Sequence, residues 1–160
     1  MQKVTVICVG RLKEKFYADA CAEYMKRLAR HCKAELIELS EQRLGDAPSE
    51  AEIAAALSKE ADAIEEKLPR SGALIALCVE GRELSSVQLS ETVARYAAQG
   101  VSQLTFLIGG SFGLSERVKA RADLRLSMSP MTFPHHLARV MLLEQLYRAY
   151  QIQAGTKYHK

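Results

Sequence analysis

The hydrophobic and polar positions along the chain predict strands that alternate with helices. The apolar, β-branched run from Lys3 to Val9 ends at Gly10 and predicts a first strand. Two later runs, Ala73–Val79 and Leu104–Ile108, are short and continuously apolar, as in strands covered on both faces. Earlier in the chain, after the first strand, Ala34–Leu39 alternates Glu with Leu and Ile, which indicates a strand with one solvated face.

Helical periodicity fills the intervals between these strands. Apolar residues recur at near-helical spacing from Phe16 to Leu28, which predicts a first helix ending near His31. Two capping boxes, formed by Ser49 with Glu52 and by Ser85 with Gln88, predict the starts of two further helices. Those helices are expected to run to about Lys67 and, from Val87, to Gln99, and a short basic helix is expected to end at about Arg121.

This alternation predicts an α/β fold in a single domain over residues 1–160, with a mostly parallel sheet and helices on both faces. In open sheets of this kind, ligands bind beyond the carboxyl ends of the strands. Three loops rich in glycine or proline follow predicted strands, at Glu80–Gly81, Gly109–Gly113 and Ser127–Pro134. The sequence therefore predicts a site in the C-terminal half.

The segment Leu124–Leu137 has the pattern of a strand end, a stiff loop and a helix start. Its two prolines fix φ near −65° and favour extended geometry in the residue before each. The loop should offer backbone N–H and C=O groups that neither strand nor helix uses, and such groups need partners. A bound ligand and an ordinary strand-to-helix turn are equally good interpretations of these residues alone.

The final helix is predicted from His135 to about Ala154, with polar residues scattered around its circumference. A helix that is apolar on most sides needs cover on most sides. In a chain this short, a second subunit could provide that cover.

Composition supports one compact globular domain, with 48% hydrophobic residues and only four prolines. The first residues lack the layout of a signal peptide, and no apolar run approaches the roughly 20 residues that span a bilayer. We therefore expect a cytoplasmic protein with no membrane association. The four cysteines have no CxxC spacing, so we expect small buried thiols and no metal or disulfide.

The net charge of +3 is unevenly spread, because both ends of the chain are basic and residues 44–72 are acidic. This distribution permits an anionic partner such as RNA, although a solvated surface explains it equally well.

The dinucleotide, P-loop and serine-hydrolase motifs are missing. The run Gly109–Ser115 could cradle a ligand or form a simple turn, His135-His136 could supply a general base, and Tyr158-His159-Lys160 could grip a nucleotide.

Three segments taken together, LIGGSFGLS, LSMSPMTFPHHLARVMLLEQLYRAYQI and the tail GTKYHK, closely resemble the ribosomal large-subunit pseudouridine methyltransferases of the SPOUT class, the RlmH type. The resemblance extends to the opening VICVGRLKEKFY and to EYMKRL, so it runs the whole length of the chain. It implies a C-terminal trefoil knot, which general chain rules would not have predicted, and a homodimer. The implied reaction is methyl transfer from S-adenosylmethionine to N3 of a pseudouridine in 23S ribosomal RNA on the assembled ribosome, without a metal.

Carried over position by position, the resemblance assigns a set of cofactor-binding residues: Leu77, Gly109, Met128, Ser129, Pro130, Met131, Thr132 and Phe133. Pro130 departs from the lysine common in relatives, which is harmless only if that position contacts the cofactor through its carbonyl. For catalysis we expect His135 or His159 to assist removal of the N3 proton. Arg139 and Lys160 would hold phosphate or base oxygens, and Tyr158 would stack on the nucleotide from the partner subunit.

Two other functions compete with the methyltransferase. A nucleotide-binding protein of the flavodoxin or Rossmann type fits the strand-end loops but lacks the fingerprints. A non-catalytic ribosome-associated factor would keep the RNA-binding surfaces, yet the loops are intact. The modest charge predicts limited affinity for naked RNA, so we expect an assembled ribosomal surface to be needed.

Overall fold

A computed structural model describes residues 1–160 as a five-stranded sheet covered by helices on both faces. The strands are β1 Lys3–Val9, β2 Lys33–Leu39, β3 Ala73–Glu83, β4 Gln103–Ile108 and β5 Leu124–Ser127. The helices are α1 Lys15–Leu28, α2 Glu50–Lys67, α3 Ser86–Ala98, α4 Glu116–Ala120 and α5 His135–Gln153. All strand pairings are parallel and the order is β2-β1-β4-β3-β5, so the predicted fold class is confirmed.

Each face of the sheet has its own hydrophobic core. On one face, α1, α3 and α5 pack around buried residues such as Leu28, Val93 and Leu143. On the other face, α2 and α4 contribute Ile64 and Val118 to a smaller cluster. The strands in the middle of the sheet are therefore buried on both sides, which explains their unbroken apolar runs.

The capping boxes predicted from sequence are present. At the start of α2, the Ser49 side chain accepts a hydrogen bond from the backbone N–H of Glu52, and the Glu52 carboxylate accepts one from the backbone N–H of Ser49. Ser85 and Gln88 make the same pair of bonds at the start of α3. Two of the four orphan N–H groups at each helix start are thus satisfied locally.

Strand β3 is longer than the sequence predicted. It continues past Val79 to Glu83, and its pairing with β5 shifts register between Leu77 and Arg82. The chain bulges over the intervening residues, so Leu77 lies at the start of a bulge and not at a strand end. Gly81 makes the bulge possible, because a Cβ there would lie 2.8 Å from the backbone of Arg125.

The cysteine prediction holds for three of the four residues. Cys8, Cys21 and Cys32 are buried in the core, but Cys78 is half-buried in the β3 bulge. Burial raises the pKa of the Cys78 thiol above its ordinary value.

Candidate functional site

A cavity of about 780 Å³ opens at the carboxyl ends of β3, β4 and β5. Three loops form its walls: the β3 bulge, the glycine-rich segment after β4 and the segment between β5 and α5. All three come from the C-terminal half of the chain, as the sequence predicted. A cavity of this size falls in the range of small-molecule and cofactor sites.

The glycine-rich wall is a tight turn. Gly113 donates its backbone N–H to the carbonyl of Gly110 at 3.0 Å, which closes a turn with Ser111 and Phe112 at its tip. Gly113 has φ +77°, in the left-handed region that favours glycine. Close approach also fixes Gly109, because a Cβ there would lie 2.4 Å from the Gly113 carbonyl oxygen.

The wall between β5 and α5 carries backbone donors without partners in the chain. Met131 donates its N–H to the Ser129 hydroxyl at 3.0 Å, and Ser127 donates its hydroxyl to the Ser129 carbonyl at 3.1 Å. The N–H groups of Ser129, Thr132 and Phe133 donate to no group of the protein. The loop therefore keeps free donors beside the cavity, as its sequence indicated.

Helix α5 begins at this wall with an uncapped first turn. Pro134 occupies the N-cap position and provides no side-chain acceptor, and the first turn contains no acidic residue. Pro134, His135 and Ala138 line the cavity. Unpaired N–H groups at a helix start favour a negatively charged group nearby.

Seven of the eight predicted cofactor-binding residues line this cavity: Leu77, Gly109, Met128, Ser129, Met131, Thr132 and Phe133. The exception is Pro130, which is exposed and does not line it. The side chain of Pro130 thus lies outside the cavity. The role of the eight predicted residues in cofactor binding stays a prediction.

His135 is the predicted proton acceptor that lies at the cavity. Its Nε2 atom is buried without a hydrogen-bond partner and lies 3.8 Å from a carboxylate oxygen of Glu41. Burial and the neighbouring His136 lower the pKa of His135 below its ordinary value, despite the Glu41 carboxylate. His135 is therefore neutral at physiological pH and able to accept a proton.

The prediction that Arg139 holds phosphate or base oxygens requires correction. Arg139 is only 1% exposed. It donates to the Glu38 carboxylate at 2.6 Å and to the Gly10 carbonyl at 2.9 Å. Burial opposes ionisation of Glu38, but the hydrogen bonds from Arg139 and from the Leu12 N–H hold its pKa below the usual range. Arg139 ties α5 to the loop after β1 and has no open path to RNA.

The predicted C-terminal residues follow the end of α5, and Tyr158 and His159 pack back against that helix, not at the cavity of their own chain. Tyr158 donates its hydroxyl to Glu144 at 3.1 Å and packs edge-on against Tyr147, with the Arg148 guanidinium over its ring. Arg148 also lies 3.4 Å from His159 Nδ1, and Lys160 is exposed. Burial and the contact with Glu144 raise the pKa of Tyr158 to about 12, so its phenol stays protonated.

Sequence reasoning missed several residues of this site. Lys119 lines the cavity and forms an ion pair with Glu80 at 2.6 Å, 39 positions away, so no local pattern could have found it. Three exposed apolar side chains, Val79, Phe112 and Met131, surround the mouth of the cavity. Of these three, Met131 was already among the predicted cofactor-binding residues and Phe112 stands inside the glycine-rich run, so only Val79 had no signal in the sequence.

No group of three or more His, Cys, Asp or Glu side chains is arranged to hold a metal ion. Likewise, none of the helices combines the length and apolar character needed to cross a membrane.

Comparison with known proteins gives one consistent result. A family model described as "Predicted SPOUT methyltransferase" matches residues 2–159. Proteins named "Ribosomal RNA large subunit methyltransferase H" from Streptococcus equi subsp. zooepidemicus and from Streptococcus pyogenes serotype M5 are 45% and 44% identical over 158 residues, 99% of each chain. In fold, the chain resembles a probable methylase family protein from Haemophilus influenzae, with a TM-score of 0.53, 15% identity and coverage of 99% of this chain and 70% of the other.

Proposed function

This chain belongs to the SPOUT methyltransferase family, and we propose that it transfers a methyl group from S-adenosylmethionine to N3 of a pseudouridine in 23S ribosomal RNA. The observation that carries the proposal is the cavity at the carboxyl ends of β3, β4 and β5, which is large enough for a cofactor. The reaction is taken from a relative that is 45% identical over 99% of this chain and is named as a large-subunit rRNA methyltransferase. The choice of cofactor and the target atom are the finer parts of the proposal.

The residues around the cavity suit S-adenosylmethionine. Eleven of its 21 lining residues are hydrophobic, which suits the apolar faces of an adenine ring. The free N–H groups of Ser129, Thr132 and Phe133 can donate to polar edges of the ligand. The uncapped first turn of α5 complements a carboxylate. Leu77, Gly109 and the loop Met128–Phe133 would hold the cofactor, with Pro130 contributing backbone alone.

The chain then has two chemical tasks, alignment and proton removal. S-adenosylmethionine supplies, when bound, a methyl group on a sulfonium that is already electrophilic. The walls of the cavity would hold the target N3 in line with that methyl group, and such alignment removes several kcal/mol from a barrier. Neutral His135, which lines the cavity, would accept the N3 proton.

We further propose that the active enzyme is a homodimer in which each tail serves the partner's cavity. In its own chain, the tail residues Tyr158 and His159 pack on the middle of α5, away from the cavity. The surface that they offer is aromatic and positively charged, which suits a nucleotide. Lys160 would hold a phosphate, and His159 remains the second candidate for proton removal.

The substrate is expected to be an assembled ribosome in the cytoplasm. A net charge of +3 gives little general affinity for RNA, so shape and additional ribosomal contacts must contribute to recognition. The exposed apolar side chains Val79, Phe112 and Met131 at the mouth of the cavity suit the face of a base drawn out of its stack.

Methyl transfer to ribosomes tests this function directly. Purified protein would be incubated with S-adenosylmethionine labelled in its methyl group and with ribosomes that lack the modification. We expect one labelled methyl group per large subunit, located on a pseudouridine by nuclease digestion and mass spectrometry. Calorimetric titration with S-adenosylmethionine, NADH and FMN separates the rivals. Binding of NADH or FMN alone would support a nucleotide-binding protein, and cofactor binding without methylation would support a non-catalytic factor.

A further inference from the structure

Glu41 connects the loop after β2 to the glycine turn of the cavity, although it does not line the cavity itself. Its Oε1 atom accepts a hydrogen bond from the backbone N–H of Ser111 at 2.6 Å. Its Oε2 atom lies 3.8 Å from His135 Nε2. The carboxylate thus lies between the tip of the turn and the start of α5.

Glycines leave the room that the Glu41 side chain fills. A Cβ at Gly110 would lie 2.5 Å from Glu41 Oε1, and a Cβ at Gly10 would lie 3.6 Å from Oε2 and 3.2 Å from His135 Nε2. The carboxylate therefore packs directly against backbone from two strand ends. Larger residues at Gly110 would displace it.

The loop that carries Glu41 is anchored from α2. Glu60 is 7% exposed, and its carboxylate accepts a hydrogen bond from the Gln42 N–H at 2.8 Å. Burial raises the pKa of Glu60, and the charge of Glu41 adds to this effect. Burial opposes ionisation of Glu41 as well, yet the hydrogen bonds from Ser111 and the two histidines lower its pKa. The pKa of Glu60 is thus raised and that of Glu41 is lowered, so Glu41 keeps its negative charge.

We propose that Glu41 is a positioning residue that fixes the turn Gly110–Gly113 through the Ser111 N–H and so holds the cavity wall in its binding shape. Three of the five residues in Gly109–Gly113 are glycine, and glycine loses more conformational freedom on ordering than any other residue. A bond from a fixed carboxylate removes that freedom before a ligand binds, so the ligand does not lose affinity by ordering the turn. Glu41 acts through Ser111 and does not touch the ligand. The test uses S-adenosylmethionine, and this choice of ligand rests on the proposed function.

Two substitutions remove the same hydrogen bond from opposite ends. Glu41→Ala removes the acceptor. Ser111→Pro removes the donor at the second position of a turn, where proline is favoured. Glu41→Gln keeps a neutral acceptor. Glu35→Ala is the matched control, since Glu35 lies on β2 away from the cavity and pairs with Lys3 of β1.

We expect calorimetry to show about five- to tenfold weaker binding of S-adenosylmethionine in Glu41→Ala and Ser111→Pro. This is the loss of affinity expected when one charge-assisted hydrogen bond that orders the cavity wall is removed. The double variant should bind no more weakly than either single one, because both remove one bond. Glu41→Gln should lie within about twofold of the parent, and Glu35→Ala should match it. In methylation assays, KM for the cofactor should rise in both variants.

Amide hydrogen exchange tests the proposal without the cofactor. In the free protein, the Ser111 N–H should be protected, and that protection should be lost in Glu41→Ala but kept in Glu41→Gln. If the parent protein binds no S-adenosylmethionine, the proposed function fails, and exchange at Ser111 still decides the role of Glu41. Unchanged exchange in Glu41→Ala overturns the positioning role, and so do additive losses of affinity in the double variant.

Discussion

At the scale of single residues, position and burial favour His135 over His159 as the proposed base. His135 lies at the cavity with an unpaired buried nitrogen, whereas His159 lies against Arg148 on α5. Desolvation disfavours the charged imidazole, and the adjacent His136 adds to that effect, so the pKa of His135 falls below 6.5. The neutral form accepts the proton, so activity is present above the lowered pKa and is lost as the pH falls through it.

The first prediction concerns this loss of activity at low pH. We expect kcat of the parent protein to stay level at neutral and alkaline pH and to fall on acidification, with a midpoint below the ordinary imidazole pKa. His135→Gln should lower kcat by about 100-fold and should abolish the acid limb. The measurement is single-turnover methylation of ribosomes between pH 5 and 8, with S-adenosylmethionine binding measured in parallel.

His136→Gln is the neighbouring control. His136 contacts Glu14 at 3.4 Å and does not line the cavity, so its loss should leave kcat nearly unchanged. Because His136 helps to lower the pKa of His135, the acid limb should move to slightly higher pH in this variant. An undiminished rate in His135→Gln would transfer the role to His159 or to water.

Residue roles were harder to predict than residue locations. Seven of the eight cofactor-binding residues that the resemblance assigned line the cavity. They lie in loops at the ends of strands, where position in the sequence determines position in the fold. The hypothesis that Arg139 contacts RNA did not foresee its pairing with Glu38, 101 positions away. Sequence reasoning also missed Glu41, whose contact with Ser111 spans 70 positions. Pairs so distant along the chain meet only through tertiary packing, which local patterns do not contain.

At the scale of elements, local signals were sufficient wherever local interactions decide the structure. The capping boxes fixed the starts of α2 and α3 within a residue, and the buried strands had unbroken apolar runs. The end of β3 escaped prediction, because its extension to Glu83 depends on pairing with β5 across a bulge. The trefoil knot of the family resemblance stays a prediction, since it concerns threading and no residue pattern encodes it.

The second prediction concerns that bulge. Gly81→Ala places a Cβ 2.8 Å from backbone atoms of Arg125 and Leu126, and backbone cannot move aside as a flexible side chain can. We expect a loss of about 1–3 kcal/mol in the free energy of unfolding, and weaker binding of S-adenosylmethionine because the same strands border the cavity. Gly45→Ala is the control, since its Cβ would meet nothing within 4 Å and its φ is not positive. Denaturant unfolding of both variants checks this, and equal stability would contradict the close packing of β3 on β5.

At the scale of the whole molecule, the separation of tail and cavity in one chain leads to the third prediction. His135→Gln and a chain that ends at Gly155 should each methylate poorly as pure homodimers. Mixed after unfolding and refolding together, they form heterodimers in which an intact cavity receives an intact tail from its partner. Random pairing would restore about a quarter of the normal sites, since a two-fold dimer has two equivalent sites. If each tail served its own cavity, no heterodimer would contain a complete site, and activity would stay at the level of the separate variants.

The charge of the whole molecule leads to the last prediction. Each phosphate neutralised by a protein steepens the loss of affinity with salt, and the 22 Lys and Arg side chains of this chain exceed its 19 Asp and Glu side chains by only three. Several of these cations are already paired, as Arg27 is with Glu23, Arg117 with Asp62 and Lys119 with Glu80. Single-turnover methylation should therefore be at least about tenfold faster on ribosomes than on isolated 23S RNA. Its rate on ribosomes should depend only weakly on salt between 50 and 200 mM, roughly as expected for few phosphate contacts. Equal rates on the two substrates, or a steep dependence on salt, would mean that RNA alone carries the recognition.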